Sequence, residues 1–342
     1  MTQISKLLLI VLIGINFMLA CTAHEKITGP DDMDYRQEMR DFIAEISNYA
    51  HNFNGDFIVI PQNALELVTN SGNADNTINQ EYLAAINAIG FEDLFYGGNL
   101  NDDEANLRAE VNYHLALLNL FKNNDKEVLV IDYCDTPWKV DDSYQKSFNN
   151  GFISFAAPGR EMNRIPDYPE AIFNENESDV TELSDAKNFL YLINTSEFGI
   201  KSDFLEELRN TNYDLLLIDL FFEVDGKPVM LEPDDIAMLK TKANGGQRLV
   251  IAYMSIGEAE NYRWYWDSRW ISTNNKLATL APAWLEQENP EWEGNFKVKY
   301  WHPDWKRIIY GSANSYLDRI IATGFDGVYL DIVDGFYYFE EQ

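Results

Sequence analysis

Basic residues are scarce in this chain of 342: 26 lysines and arginines stand against 56 aspartates and glutamates, a formal net charge of -30. That balance excludes a surface built to follow phosphates, which needs clustered Lys and Arg. It suits a cationic ligand drawn in by the summed field, although solubility alone is the simpler account. Cysteine is nearly missing. Cys21 and Cys134 make no disulfide framework, and Cys134 reads as a core thiol. The four histidines, His24, His51, His114 and His302, have neither H-x-H nor H-E-x-x-H spacing, so no zinc site is expected. Gly-x-Ser-x-Gly is absent, which leaves a serine-hydrolase triad without an anchor. No Gly-rich phosphate turn follows any strand-like run, which counts against a doubly wound open sheet.

Long apolar runs are lacking too. The one at 7–19 has thirteen residues, too short to span a bilayer. With Lys6 before it, it reads as a signal peptide over 1–20. Met18-Leu-Ala-Cys21 resembles a bacterial lipobox, so Cys21 is the expected lipidation site and 21–33 a polar tether. Simple secretion after Ala20 is the alternative. The expected location is an exported, membrane-anchored lipoprotein, periplasmic or at the cell surface.

What is plentiful is apolar and aromatic content, 46% and 14%, enough for a sizeable core in one domain over 34–342. Nine strand-like runs alternate with helical ones, at 57–63, 88–92, 128–133, 152–156, 188–194, 215–221, 249–255, 298–301 and 328–333. Repeated β-α alternation predicts parallel strands and right-handed crossovers. Eight strands close a barrel, and the ninth, placed at Phe152, is expected to be peripheral. A doubly wound open sheet is the alternative. Helical periodicity predicts helices at 34–52, 82–86, 105–122, 201–209, 234–243 and 303–322. The 158–185 stretch, rich in Pro, Asn, Asp and Glu, reads as a surface excursion. The last strand has no helix after it and the first helix no strand before it, so a closed barrel makes the two ends neighbours.

The run Val328-Tyr-Leu-Asp331 puts Asp331 in an otherwise apolar strand. A carboxylate there is paired, hydrogen-bonded or at a cavity mouth, unless it merely caps the next loop. Other strand-like runs also end in polar groups: Asn63, Glu92, Asp132 with Tyr133, Asp219, and Tyr253 with Ser255. In a parallel barrel these ends converge on one face, and paired carboxylates there suit glycoside hydrolysis. The 258–305 loop carries seven tryptophans, Trp264, Trp266, Trp270, Trp284, Trp292, Trp301 and Trp305. Flat rings suit sugar faces, although most are expected to pack the loop against the barrel.

Four motifs, Asp214 to Asp219, Ile251 to Glu260 with Tyr262 to Trp266, Lys299-Tyr-Trp301, and Gly324 to Gly335, resemble those of glycoside hydrolase family 114, the endo-α-1,4-polygalactosaminidase-like group. Ile60-Pro-Gln-Asn63, Phe91 to Tyr96 and Val130 to Tyr133 resemble that family's second half, so the chain is similar to a circularly permuted member. The resemblance implies a (β/α)8 TIM barrel with a Trp/Tyr-rich loop, acting on an α-1,4-linked galactosamine polysaccharide without metal or cofactor. It implies Asp331 as nucleophile and Glu92 as acid/base. Around the substrate it places Asp219, Tyr253, Ser255, Glu258, Glu260 and Asp334, and Asn63, Tyr133 and Trp301 are expected there as well. The rivals are a non-catalytic glycan-binding lipoprotein on the same scaffold and a hydrolase of a different α-glycan.

Overall fold

A computed structural model describes residues 33–75, 77–224, 227–272 and 276–342. The signal peptide over 1–20, Cys21 and the tether up to residue 32 therefore lie outside the described residues.

Helix α1 (Tyr35–His51) begins where the Asp34 carboxylate accepts the Gln37 amide at 3.1 Å, and it buries Met39, Phe42, Ile43, Ile46 and Ala50 as one stripe. The parallel strands follow: β1 (Ile58–Pro61), β2 (Ala88–Glu92), β3 (Glu127–Tyr133), β4 (Ile153–Ala157), β5 (Phe189–Leu192), β6 (Leu215–Ile218), β7 (Leu249–Ser255) and β8 (Gly327–Asp331). They form a five-stranded sheet in the order β1-β8-β7-β6-β5 and a three-stranded sheet in the order β2-β3-β4. Most of their residues are buried, as expected of parallel strands covered on both faces.

Backbone bonds tie the two sheets along one edge. Asn87 N–H donates to Val59 at 2.9 Å, Asn63 N–H to Gly90 at 2.8 Å, and Gln62 bridges Gly90 in the parallel sense. At the other edges, Phe155 of β4 and Phe189 of β5 meet ring to ring at 5.8 Å. Gly90 is a glycine because the Tyr329 phenol fills the space its Cβ would take. The predicted neighbourhood of the two ends holds for the described residues: the Arg36 guanidinium grips the Glu340 carboxylate at 2.8 and 3.0 Å.

The structure differs from the expected strand assignment at two places. The run at 153–157 is not peripheral. It is buried throughout and pairs in parallel with β3. The peripheral strand is the one expected at 298–301, which lies at Asn295–Val298 and pairs antiparallel with Glu258–Glu260 and Leu285–Glu288. The reason is legible in its alternation. Phe296 and Val298 are buried while Asn295 and Lys297 are not, the mark of an antiparallel strand with one wet face.

The long helix expected over 303–322 is two, Pro303–Ile309 and Tyr316–Thr323, with Gly311 at φ +88° between them. Two helices were not predicted: Phe336–Glu340, a short one that follows β8 where no helix was expected, and one after β3. The latter, α2 (Pro137–Asn150), turns Val140, Ser143, Tyr144 and Ser147 inward, and the two serines dilute the apolar periodicity.

Candidate active site

Parallel strands bring their C-terminal ends to one face. There a cleft of about 840 Å³ opens, lined by nine of the expected residues: Asn63, Glu92, Tyr133, Asp219, Tyr253, Glu258, Glu260, Asp331 and Asp334. Two expected residues are not among its walls. The Ser255 hydroxyl is buried and donates to the Glu258 carbonyl at 3.1 Å, holding the turn beyond β7. Trp301 packs on Tyr35 at 5.1 Å and on Phe339 at 4.7 Å, so it belongs to the contact between α1 and the C-terminal helix Phe336–Glu340. Its place in a sequence motif reflects packing rather than the cleft.

Asp331 ends β8 opposite Ser255 of β7. The chain turns sharply after it, with Ile332 at φ +56°, and the Ile332 amide donates to Asp331 Oδ1 at 2.7 Å. The Tyr253 phenol donates to Oδ2 at 2.7 Å. Both oxygens are thereby oriented. Burial, and after it the charge of Glu92, pushes the carboxyl up to about 7 against the two donors. Glu92 ends β2, with β1 between its strand and β8. Its Oε1 accepts from the Tyr133 phenol, and its Oε2 accepts from the Gln62 amide and, at 3.3 Å, from the Asn63 amide. Burial raises this carboxyl as well, opposed by the Tyr133 and Asn63 donors.

A second carboxyl pair extends the site. Asp334 is lifted to about 7 by burial and then by its neighbours Asp331 and Glu258. Glu258 is 1% exposed, and burial raises it although Lys297 opposes the shift. Its Oε1 accepts from Asn289 at 2.8 Å and from Lys297 at 3.5 Å, while Oε2 has no hydrogen-bond partner among the described residues. Glu258 lines the cleft, and a buried carboxylate oxygen without a donor is one that a donor on a ligand would satisfy.

Asp219 and Glu260 occupy the same cleft differently. Arg263 donates to both oxygens of Asp219 at 2.9 and 2.7 Å and to both oxygens of Glu260 at 3.1 and 2.6 Å. All three side chains are nearly buried. This is a charge-assisted clamp with little lone-pair capacity left for a ligand. Among the described residues, no group of three or more His, Cys, Asp or Glu side chains is arranged to hold a metal ion.

Most of the loop's rings are structural, as expected. Trp266, Trp270, Trp284 and Trp305 form a chain of ring contacts between 4.9 and 5.3 Å. Tyr262 and Trp292 line the cleft, about half exposed. Asp132 is buried away from the cleft and fixes the loop beyond β2, accepting the Phe95 and Tyr96 amides at 2.8 and 3.2 Å. Sequence reasoning missed Gln62, Arg263 and Arg160. Gln62 stands beside Asn63 in a quoted motif, and Arg263 is the one cation within an acidic and aromatic run, so both had a signal. Arg160 lies in the irregular stretch and had none.

Residues 205–342 match the model of glycoside-hydrolase family GH114. An uncharacterized protein of Methanocaldococcus jannaschii is 42% identical over 169 residues, covering 49% of this chain and 42% of that protein. One of Thermotoga maritima is 34% identical over 184 residues, 47% of this chain and 52% of that protein. One of Deinococcus radiodurans is 42% identical over 132 residues, 39% of this chain and 37% of that protein. The chain thus spans about half or less of the length of the curated relatives it matches. A crystal structure of Aspergillus fumigatus Ega3 in complex with galactosamine is similar at 25% identity and a TM-score of 0.25, over 37% of this chain and 39% of that one.

Proposed function

We propose, on the ground that residues 205–342 match the family model of glycoside-hydrolase family GH114, that this protein is an endo-acting glycoside hydrolase using two carboxyl groups. Its main support is that Asp331 and Glu92, both half-buried, line one cleft at the ends of strands separated only by β1. Glu92 lies outside the matched residues and enters by position alone. The closed (β/α)8 ring and the permuted order of its halves are part of the same proposal. They draw on the backbone bonds between β1 and β2 and on the Arg36–Glu340 contact.

Asp331 attacks the anomeric carbon while Glu92 gives its proton to the leaving oxygen. The bond to Asp331 is then hydrolysed by a water that Glu92 deprotonates. Retention requires the two carboxyl groups about 5–5.5 Å apart, and the anomer first released, read by NMR, decides it. The pair carries a single proton in its active form, because burial and mutual charge oppose double ionisation. Activity therefore falls on the alkaline side as that proton leaves, and on the acid side as the second one binds.

The substrate proposed is an α-1,4-linked galactosamine polymer. The unpartnered Glu258 Oε2, with Asp334 beside it, suits an ammonium group, and Lys297 is the cation set against them. Incubation with de-N-acetylated galactosamine polymer beside neutral α-glycans tests the proposal, with Asp331→Asn and Glu92→Gln as controls. Cleavage that survives both substitutions would remove the mechanism. Binding of the polymer without any cleavage would favour the glycan-binding rival. Export and anchoring through Cys21 are proposed from the leader alone, and a Cys21→Ala chain that stays with the membrane fraction would overturn that part.

A further inference from the structure

Arg160 stands where the surface excursion begins, just beyond β4, and three elements converge on it. Its guanidinium lies 4.0 Å over the ring of Tyr133, the phenol that donates to Glu92. One nitrogen donates to both oxygens of Asp93 at 3.0 and 3.2 Å and to the Gly97 carbonyl at 2.5 Å, while Nε donates to Asp102 at 2.8 Å. Asp93 directly follows Glu92 and sits at φ +56°, a conformation that needs support from its surroundings. The convergence has a second sign. Gly97, at φ +104°, has no room for a Cβ, which would run into Asp93, Tyr133 and Arg160 together.

We propose that Arg160 is a positioning residue for Glu92. It stacks on the tyrosine that holds one carboxylate oxygen, and it clamps the strained residue next in the chain. It does not touch the bond being cut. The inference rests on the assignment of Glu92 as acid/base. The charged and titratable groups facing Glu92 are Tyr133, Asp93, Arg160, Tyr191, Tyr329 and Asp331. Arg160 is the cation among them, so its removal favours the protonated carboxyl and moves the Glu92 titration to higher pH.

The experiment combines kinetics on the galactosamine polymer with a titration that needs no activity. The Glu92 carboxyl is followed by 13C NMR in wild type, Arg160→Met and Arg160→Lys, with Glu92→Gln giving the assignment. In Arg160→Met the Glu92 titration should move up, and kcat should fall roughly 10- to 100-fold, the scale of a small misplacement at a reacting group. KM should change little. Arg160→Lys keeps the charge and the fold, so the titration should return to its wild-type position. Its kcat should recover only partly, because a point charge cannot stack and fork at once. An unmoved titration in Arg160→Met, or a loss confined to KM, overturns the proposal. A titration that depends on Arg160 in a protein that cleaves no glycan upholds the positioning and sinks the glycosidase reading instead.

Discussion

Two sets of carboxylates share the cleft, and one arginine separates their roles. Asp219 and Glu260 are gripped on all four oxygens by Arg263. Asp331 and Glu92 sit at half-buried strand ends and are held by phenols, amides and one backbone N–H. A guanidinium occupies the carboxylate oxygens and offsets their burial, although at Asp219 burial still outweighs Arg263 and leaves the carboxyl above its usual range. Neutral donors orient a carboxylate without neutralising it, so burial lifts Asp331 to about 7. Under the proposed mechanism the same residue type is scaffold in one place and a proton-exchanging group in the other.

The sharpest way to break that contrast is Asp331→Asn. Under the proposed mechanism it should lower kcat by at least about 1000-fold, the scale of losing a covalent nucleophile. The folded protein should persist, by circular dichroism, since the amide still accepts the Tyr253 hydrogen bond. Activity within tenfold of wild type would place Asp331 with the scaffold.

Arg263→Met tests the other side. It strands two buried carboxylates and should cost about 3–5 kcal/mol of stability by denaturant unfolding. A loss below about 1 kcal/mol, the range of an exposed pair, would mean that the clamp carries little.

Glu258→Gln should act more gently. It should reduce the preference for free-amine over N-acetylated polymer by about tenfold, the equivalent of about 1.4 kcal/mol lost at one charged contact. An unchanged preference, measured as a kcat/KM ratio, would move ammonium recognition elsewhere in the cleft.

The smallest effect concerns pH. Asp334 has a folded-state pKa of about 7, raised by burial and two carboxylate neighbours. The folded protein therefore binds the Asp334 proton more tightly than the unfolded chain, whose Asp titrates near 3.9. This contribution to stability is full below pH ~4 and disappears as pH rises through about 7. Asp334→Asn removes the penalty, so its melting temperature relative to wild type should be higher at pH 8 than at pH 5, by on the order of 1–2 °C. Equal differences at both pH values would show that Asp334 does not share its site with ionised neighbours.

Much of this was legible without coordinates. Seven of the eight parallel strands announce themselves as short apolar runs ended by polar residues, and Asp331 stands out as a carboxylate within such a run. The eighth, β4, was read as a strand and given the wrong place. A five-residue apolar run has no period that tells a central strand from a marginal one. Trp301 misled for the opposite reason, because an aromatic beside a strand end satisfies packing and sugar recognition equally well in sequence. Helix α2 went unread because two of the four residues on its buried face are serines.

The order of residue types along the chain set the parallel β-α alternation, the acidic character and the identity of the acids at the strand ends, all through local pattern and composition. Only the tertiary structure decided which acids are bonded directly to an arginine and which are held by neutral donors. Arg263 reaches Asp219 across 44 positions of chain and Arg160 reaches Asp93 across 67. The field at a buried carboxylate is set by whatever lies within a few ångströms of it, and chain distance does not report that.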